Sequence, residues 1–226
     1  MIIRKSTKES FSLILEEPLI LISGIISSVM SSLLLLVLSF EIAEINFSDL
    51  SSKFLSLFPM IFLFLAINTF LTSLIIRITY EKKIGRLKVK RCFKKVLKQY
   101  LNVFFGFIIY ALISGIGLLA FIIPGIVLMT KLFFYQVIIL IEEKGIFYSF
   151  RESWKITKVY WKRVLILVLT YTLLWILLRL IILVPYIFSF YFYFFISLIF
   201  IPFYFVFITL TFLKIKSTHT SKHQQD

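Results

Sequence analysis

Six stretches of the chain, at 18–40, 54–78, 103–123, 126–141, 164–184 and 187–213, are so apolar that they dictate the environment before they dictate the fold. Each stands between charged or proline-marked breaks, and a helix needs about 20 apolar residues to cross a hydrocarbon core of roughly 30 Å. The fourth stretch is short and the sixth long, which flanking residues and tilt accommodate. The chain is 60% hydrophobic and 16% charged, against about 45–50% and 25% for a soluble domain, so a soluble core of this size has no room for these side chains. Barrel strands would alternate in polarity over about ten residues, whereas these runs are apolar on all sides. The first run exceeds the roughly 7 to 15 apolar residues of a cleavable signal and is followed by Glu41 and Glu44, so it reads as a retained helix. The expected fold class is an all-α, polytopic transmembrane helix bundle of about six spans. The chain divides into an amphiphilic N-terminal segment (1–17), a membrane domain (18–213) and a polar tail (214–226).

Orientation follows from Lys and Arg, which stay on the cytoplasmic side of short loops. The connection 81–99 holds Lys82, Lys83, Arg86, Lys88, Lys90, Arg91, Lys94, Lys95 and Lys98 against a single acid, with Arg77 just before it, and 142–163 holds six more. The alternate connections are the acidic 41–53 and two tight turns, at Pro124-Gly125 and Pro185-Tyr186. All but three of the 25 basic residues then fall on one side; Lys53 lies opposite, and Lys131 and Arg179 lie within spans. A multi-pass protein of the cell membrane with both termini cytoplasmic is expected. The net charge of +14 would also suit a nucleic-acid reader, but such proteins carry their charge on a soluble fold, and no nucleic-acid partner is expected.

Both basic connections show helical spacing. Val89, Phe93, Val96, Leu97, Tyr100 and Leu101 oppose Lys90, Arg91, Lys94, Lys95 and Lys98, and Phe147, Phe150, Trp154 and Trp161 oppose Arg151, Glu152, Lys155, Lys158 and Lys162. Each suits a basic amphipathic helix lying in the headgroup region, charges toward anionic lipid; packing on the protein itself is the alternative. With 1–17, these segments give a threefold pattern of amphipathic stretch, span, turn and span. The lipid bilayer, through anionic headgroups, is the expected partner, and the pattern leaves room for a homo-oligomer or another membrane protein.

Candidate chemistry is sparse. None of the eleven acids falls inside a span, so the carboxylate relays of proton-coupled transport and the paired acids of hydrolysis are missing. Nucleophile elbows, phosphate-binding glycine loops and metal-ligand pairs are missing too. Cys92 stands alone, and His219 and His223 lie in the tail. No catalytic residue, metal or cofactor is expected. Lys131 and Arg179 remain, each six residues from its outer turn, or roughly 9 Å along a helix. They are snorkelling cations, a shared basic pocket for an anionic headgroup or solute, or partners of Glu41, Glu44 or Asp49. Small residues four apart (Gly24, Ser28 and Ser32; Ser23, Ser27 and Ser31; Ala111 and Gly115) suggest close helix approach.

The stretch 122–163 carries a further pattern: Ile122-Ile123-Pro124-Gly125, a span, Glu142-Glu143-Lys144-Gly145, then Arg151-Glu152-Ser153-Trp154 and Lys158. It resembles the membrane domain attached to some glycerophosphodiester phosphodiesterases and its stand-alone six-span relatives. In these an Ile-Pro-Gly turn and a span precede a segment ending Arg-x-Ser-Trp-x-x-x-Lys. Pro124, Gly125, Arg151, Ser153, Trp154 and Lys158 are the matching positions. After Lys158, where relatives often carry Gly, this chain has Val159. The resemblance implies a six-helix membrane module of unknown role, without the catalytic domain and so without phosphodiesterase activity. With the basic amphipathic segments, the leading expectation is a non-enzymatic scaffold or lipid-interacting protein. A small transporter or channel for an anionic solute or lipid is the competing expectation.

Overall fold

The computed structural model describes the backbone of residues 2–43, 50–180 and 186–222, and the side chains of 6–34, 36–37, 55–174, 176–177 and 193–218. Every regular element in them is helical: α1 (Ile2–Glu16), α2 (Pro18–Ala43), α3 (Leu50–Lys83), α4 (Val89–Ala120), α5 (Ile122–Lys131), α6 (Tyr135–Glu142), α7 (Ile146–Leu180) and α8 (Tyr186–Lys222). Four stretches are long and apolar enough to cross a membrane: Leu55–Lys83, Val89–Ala120, Ile122–Glu142 and Tyr193–Thr218. The pair Ser6–Glu16 and Pro18–Leu34, bent by 94°, makes a fifth. The all-α class thus stands, with four to five candidate spans. The connection 44–49, Pro185 and the side chains of Arg179, His219 and His223 lie outside the described residues.

The short α6 is the strut of the bundle. Val137, Ile138, Ile139 and Leu140 are all buried, and they join Ile76, Val96, Val103, Val164, Phe212 and others in one core. A second core gathers Leu13, Ile14, Ile20, Ile75, Cys92 and Leu210 beneath α1. Ion pairs gather helix ends at one end of the bundle: Lys82 with Glu17, Glu9 with Lys83 and Lys214, and Glu142 with Lys216. The N-terminal helix and the ends of α3, α6 and α8 therefore lie together.

The structure departs from the sequence pattern in three places. The basic amphipathic segments are not separate helices. The first is the opening of α4 and the second the opening of α7, which bends at Tyr160, where φ is −110° and ψ 23°. Cys92, Val96 and Val103 face the protein, while Phe93, Leu97 and Leu101 remain exposed. One helix thus serves both the packed and the outward reading. Second, the turn between α4 and α5 pivots on extended Phe121 (φ −160°, ψ 139°). Pro124 falls in the first turn of α5, where its missing N–H costs no helical bond.

Third, the small-residue stripes do not all pack. On α2 they do: a Cβ on Gly24 would meet Pro202 of α8 at 2.8 Å, and Ser23, Ser27, Ser28 and Ser32 are buried. On α4, Gly115 has nothing within 4 Å. Close approach uses Gly117 instead, where an added Cβ would come within 3.0 Å of Gly125 Cα. Two glycines are what let α5 fold back against α4.

Candidate functional site

Three polar constellations lie inside this apolar scaffold. The first is at the end where the ion pairs gather. Arg77, only 1% exposed, donates to Leu140 O at 2.5 Å and to Glu81 Oε1 at 2.7 Å, with Glu143 Oε1 at 3.3 Å. Lys95 of α4 completes the group, 2.9 Å from Glu143 and 3.6 Å from Glu81. Gln99 donates to the Glu143 carbonyl at 3.3 Å. The group holds two cations and two anions and ties α3, α4 and the end of α6 together. Glu143 takes a left-handed conformation (φ 55°) that ends α6. The Lys95 ammonium bonded to it holds its carboxyl below the ordinary value of 4.5.

The second constellation repairs a broken helix. Between α5 and α6 the chain leaves helical geometry at Leu132 and Phe134, which frees backbone groups that must bond elsewhere in an apolar setting. Ser153 of α7 accepts from Phe134 N–H at 3.1 Å and donates to the Lys131 carbonyl at 2.9 Å; Thr157 donates to the same carbonyl at 3.1 Å. The Lys131 ammonium lies 5.6 Å from the Trp154 ring centroid and 5.9 Å from that of Trp161, within cation–π range. Ser153 and Trp154 thus both serve the break, while Arg151 and Lys158 are exposed and Gly125 packs on α4.

The third is a cavity of about 380 Å³ between α2, α3, α4, α6, α7 and α8. Its polar lining comes from Ser31, Asn68, Thr69, Thr72, Gln136, Tyr171 and Tyr193, and among the described residues the two tyrosines are its only ionisable side chains. Asn68 Oδ1 accepts from Ser27 at 2.5 Å and Asn68 Nδ2 donates to Ser31 at 2.7 Å. Beside it, an apolar crevice of about 270 Å³ runs between α7 and α8, lined by Phe133, Ile166, Leu174, Phe203 and others. Tyr171 lines both spaces; its ring stacks on Tyr204 with centroids 3.7 Å apart.

Lys131 therefore borders neither space and faces two indoles, and Arg179 has no described side chain with which to form a pair. The sequence reading passed over Arg77, Glu81 and Glu143 as loop flanks, although Arg77 and Glu81 stand one helical turn apart, an ordinary pairing distance. It also passed over the carboxamides Asn68 and Gln136 inside spans. Among the described residues, no three His, Cys, Asp or Glu side chains come together to hold a metal ion. Fold and geometry together define an all-helical protein with several membrane-length apolar helices. No family model matches the chain, and no curated protein or solved structure is significantly similar to it.

Proposed function

We propose that the chain is a six-span protein of the cell membrane, both termini cytoplasmic, acting as a non-enzymatic lipid-interacting module akin to the stand-alone relatives of the phosphodiesterase membrane domain. Counting α2 and the second half of α7 with the four candidate spans, one of which is the broken pair of α5 and α6, gives six. The observation that carries the lipid reading is the exposed basic face beside the ion-paired end. Lys90, Arg91, Lys94 and Lys98 on α4 are exposed, with Phe93 and Leu97 exposed next to them. Such a face suits the headgroup layer, where each Lys or Arg contributes about 1 kcal/mol toward anionic lipid.

The test is native mass spectrometry of the whole chain released from mixed phosphatidylglycerol and phosphatidylcholine. The parent should retain phosphatidylglycerol preferentially, and changing Lys90, Arg91, Lys94 and Lys98 together to Gln should remove most of that preference. Equal retention of both lipids by the parent would overturn the reading. A transport reading draws on the cavity, whose uncharged lining suits a neutral cargo better than the anionic one expected from Lys131 and Arg179.

A further inference from the structure

We propose that the 380 Å³ cavity and the crevice beside it form one binding site for an uncharged, hydroxyl-bearing amphiphile, headgroup against Gln136 and Asn68, tail in the crevice beyond Tyr171. The proposal rests on the membrane reading above and deepens it. Three observations converge on it.

The first is unmet hydrogen-bonding capacity. A carboxamide offers two donors and one acceptor, and Gln136, half-buried on the cavity wall, bonds to none of the described residues. Asn68 has its oxygen and one N–H committed to Ser27 and Ser31, which holds it in place and leaves a second N–H. In a hydrocarbon setting such groups stay solvated only by water or by a ligand.

The second is charge. Among the described residues, no Lys, Arg, Asp or Glu lines either space. An ionised headgroup would lie without a counter-charge at a depth where an unpaired charge costs about 2.5 to 3.5 kcal/mol on the insertion scale. Alcohols, glycerol and sugars need only the amides and hydroxyls that are there. The third is continuity. Tyr171 belongs to both walls, and the crevice opens at the bundle surface, where Ile166, Thr170 and Leu174 are exposed. A lipid-like molecule can enter sideways from the bilayer, and the size falls in the range of about 300 to 1,000 Å³ typical of ligand pockets.

The experiment uses the whole chain in phosphatidylcholine–phosphatidylglycerol nanodiscs and a monoacylglycerol bearing a photoreactive diazirine in its acyl chain, with labelled peptides identified by mass spectrometry. Labels should concentrate on 166–174 and 200–207. Excess monooleoylglycerol should displace them, while free glycerol and lysophosphatidylglycerol of the same chain length should not. Gln136→Leu should cut labelling about threefold to tenfold, the equivalent of one or two hydrogen bonds, with thermal stability unchanged. Thr170→Trp, an exposed change that fills the crevice, should block labelling even if the Gln136 change disturbs α6. Equal displacement by the anionic analogue, displacement by glycerol alone, or labelling that neither variant alters would overturn the proposal. Phosphatidylglycerol retention measured on the same samples reports separately on the basic face, so the two readings can fail independently.

Discussion

At one end of the bundle Arg77, Glu81, Lys95 and Glu143 meet so that every charge has an opposite neighbour, whereas about 13 Å back along the same α3 the polar side chains Asn68, Thr69 and Thr72 are uncharged and open on a cavity. Both sets are polar groups placed where apolar ones would pack. The charged set is consumed almost wholly by itself: apart from the buried Arg77 Nε–H, which has no partner among the described residues, its groups join three helices. The uncharged set keeps capacity in hand. Ion pairs therefore mark where this protein is held, and amides with bonding capacity to spare mark where, on the proposal above, it holds something else.

The largest effect should come from breaking the charged set. Arg77→Met leaves the buried Glu81 carboxylate with only Lys95 at 3.6 Å, and stranding one partner of a buried pair costs about 3 to 5 kcal/mol. Thermal unfolding in mild detergent should show a sharp loss of stability. The double change Arg77→Met with Glu81→Leu should recover much of it, since Lys95 and Glu143 keep each other. Gln136→Leu should stay within about 0.5 kcal/mol of the parent. If Gln136→Leu destabilises as much as Arg77→Met, the contrast between the two regions is void.

Sequence reading reached neither of these regions, for two different reasons. Hydropathy is local, so helical class and the apolar stretches are readable run by run. The cluster is not, because its members lie far apart in sequence: Arg77 meets Leu140 and Glu143 across more than sixty residues. A basic residue at the edge of an apolar run looks solvated until a partner covers it. The cavity escaped for a different reason. Asn68 and Gln136 carry no charge, and a search for intramembrane ions passes over them. Lys131 was visible as an ion, yet its neighbours Trp154 and Trp161 arrive from a helix that by pattern alone looked like a separate surface segment. Ser153 and Trp154 stood out by resemblance, and only the break in the fourth stretch gives them a physical task.

Packing sharpens the comparison at an intermediate level. Gly24→Leu should force α2 and α8 apart, because the added carbon would stand 2.8 Å from Pro202 Cγ, and overpacking of this kind costs about 1 to 3 kcal/mol. Gly115→Leu, with open space around it, should be neutral or stabilising by up to about 1 kcal/mol through helix propensity. Chemical unfolding of both variants in the same micelles checks the pair. Equal destabilisation would mean that the stripe on α4 packs against something after all, such as a second copy of the chain.

The smallest effect is the pH response of the charged end. In the folded protein the Lys95 ammonium holds the Glu143 carboxyl below its ordinary value of 4.5, and a depressed folded-state value means that folding favours the ionised form. That stability is fully present above the ordinary value and is lost as pH falls through the lower, folded-state value. The Glu143 side chain is 32% exposed, so solvent screens the pair and the contribution is modest. Other carboxylates titrate over the same range, and the informative quantity is the difference in thermal midpoint between the parent and Glu143→Gln. The parent should be the more stable at neutral pH, and its margin should shrink toward zero on acidification below 4.5. Gln keeps the shape and much of the hydrogen bonding but carries no charge to lose. A margin that stays constant through that range would show that Glu143 acts through its backbone turn and its bond from Gln99, and that the ion pair with Lys95 contributes nothing to holding this end closed.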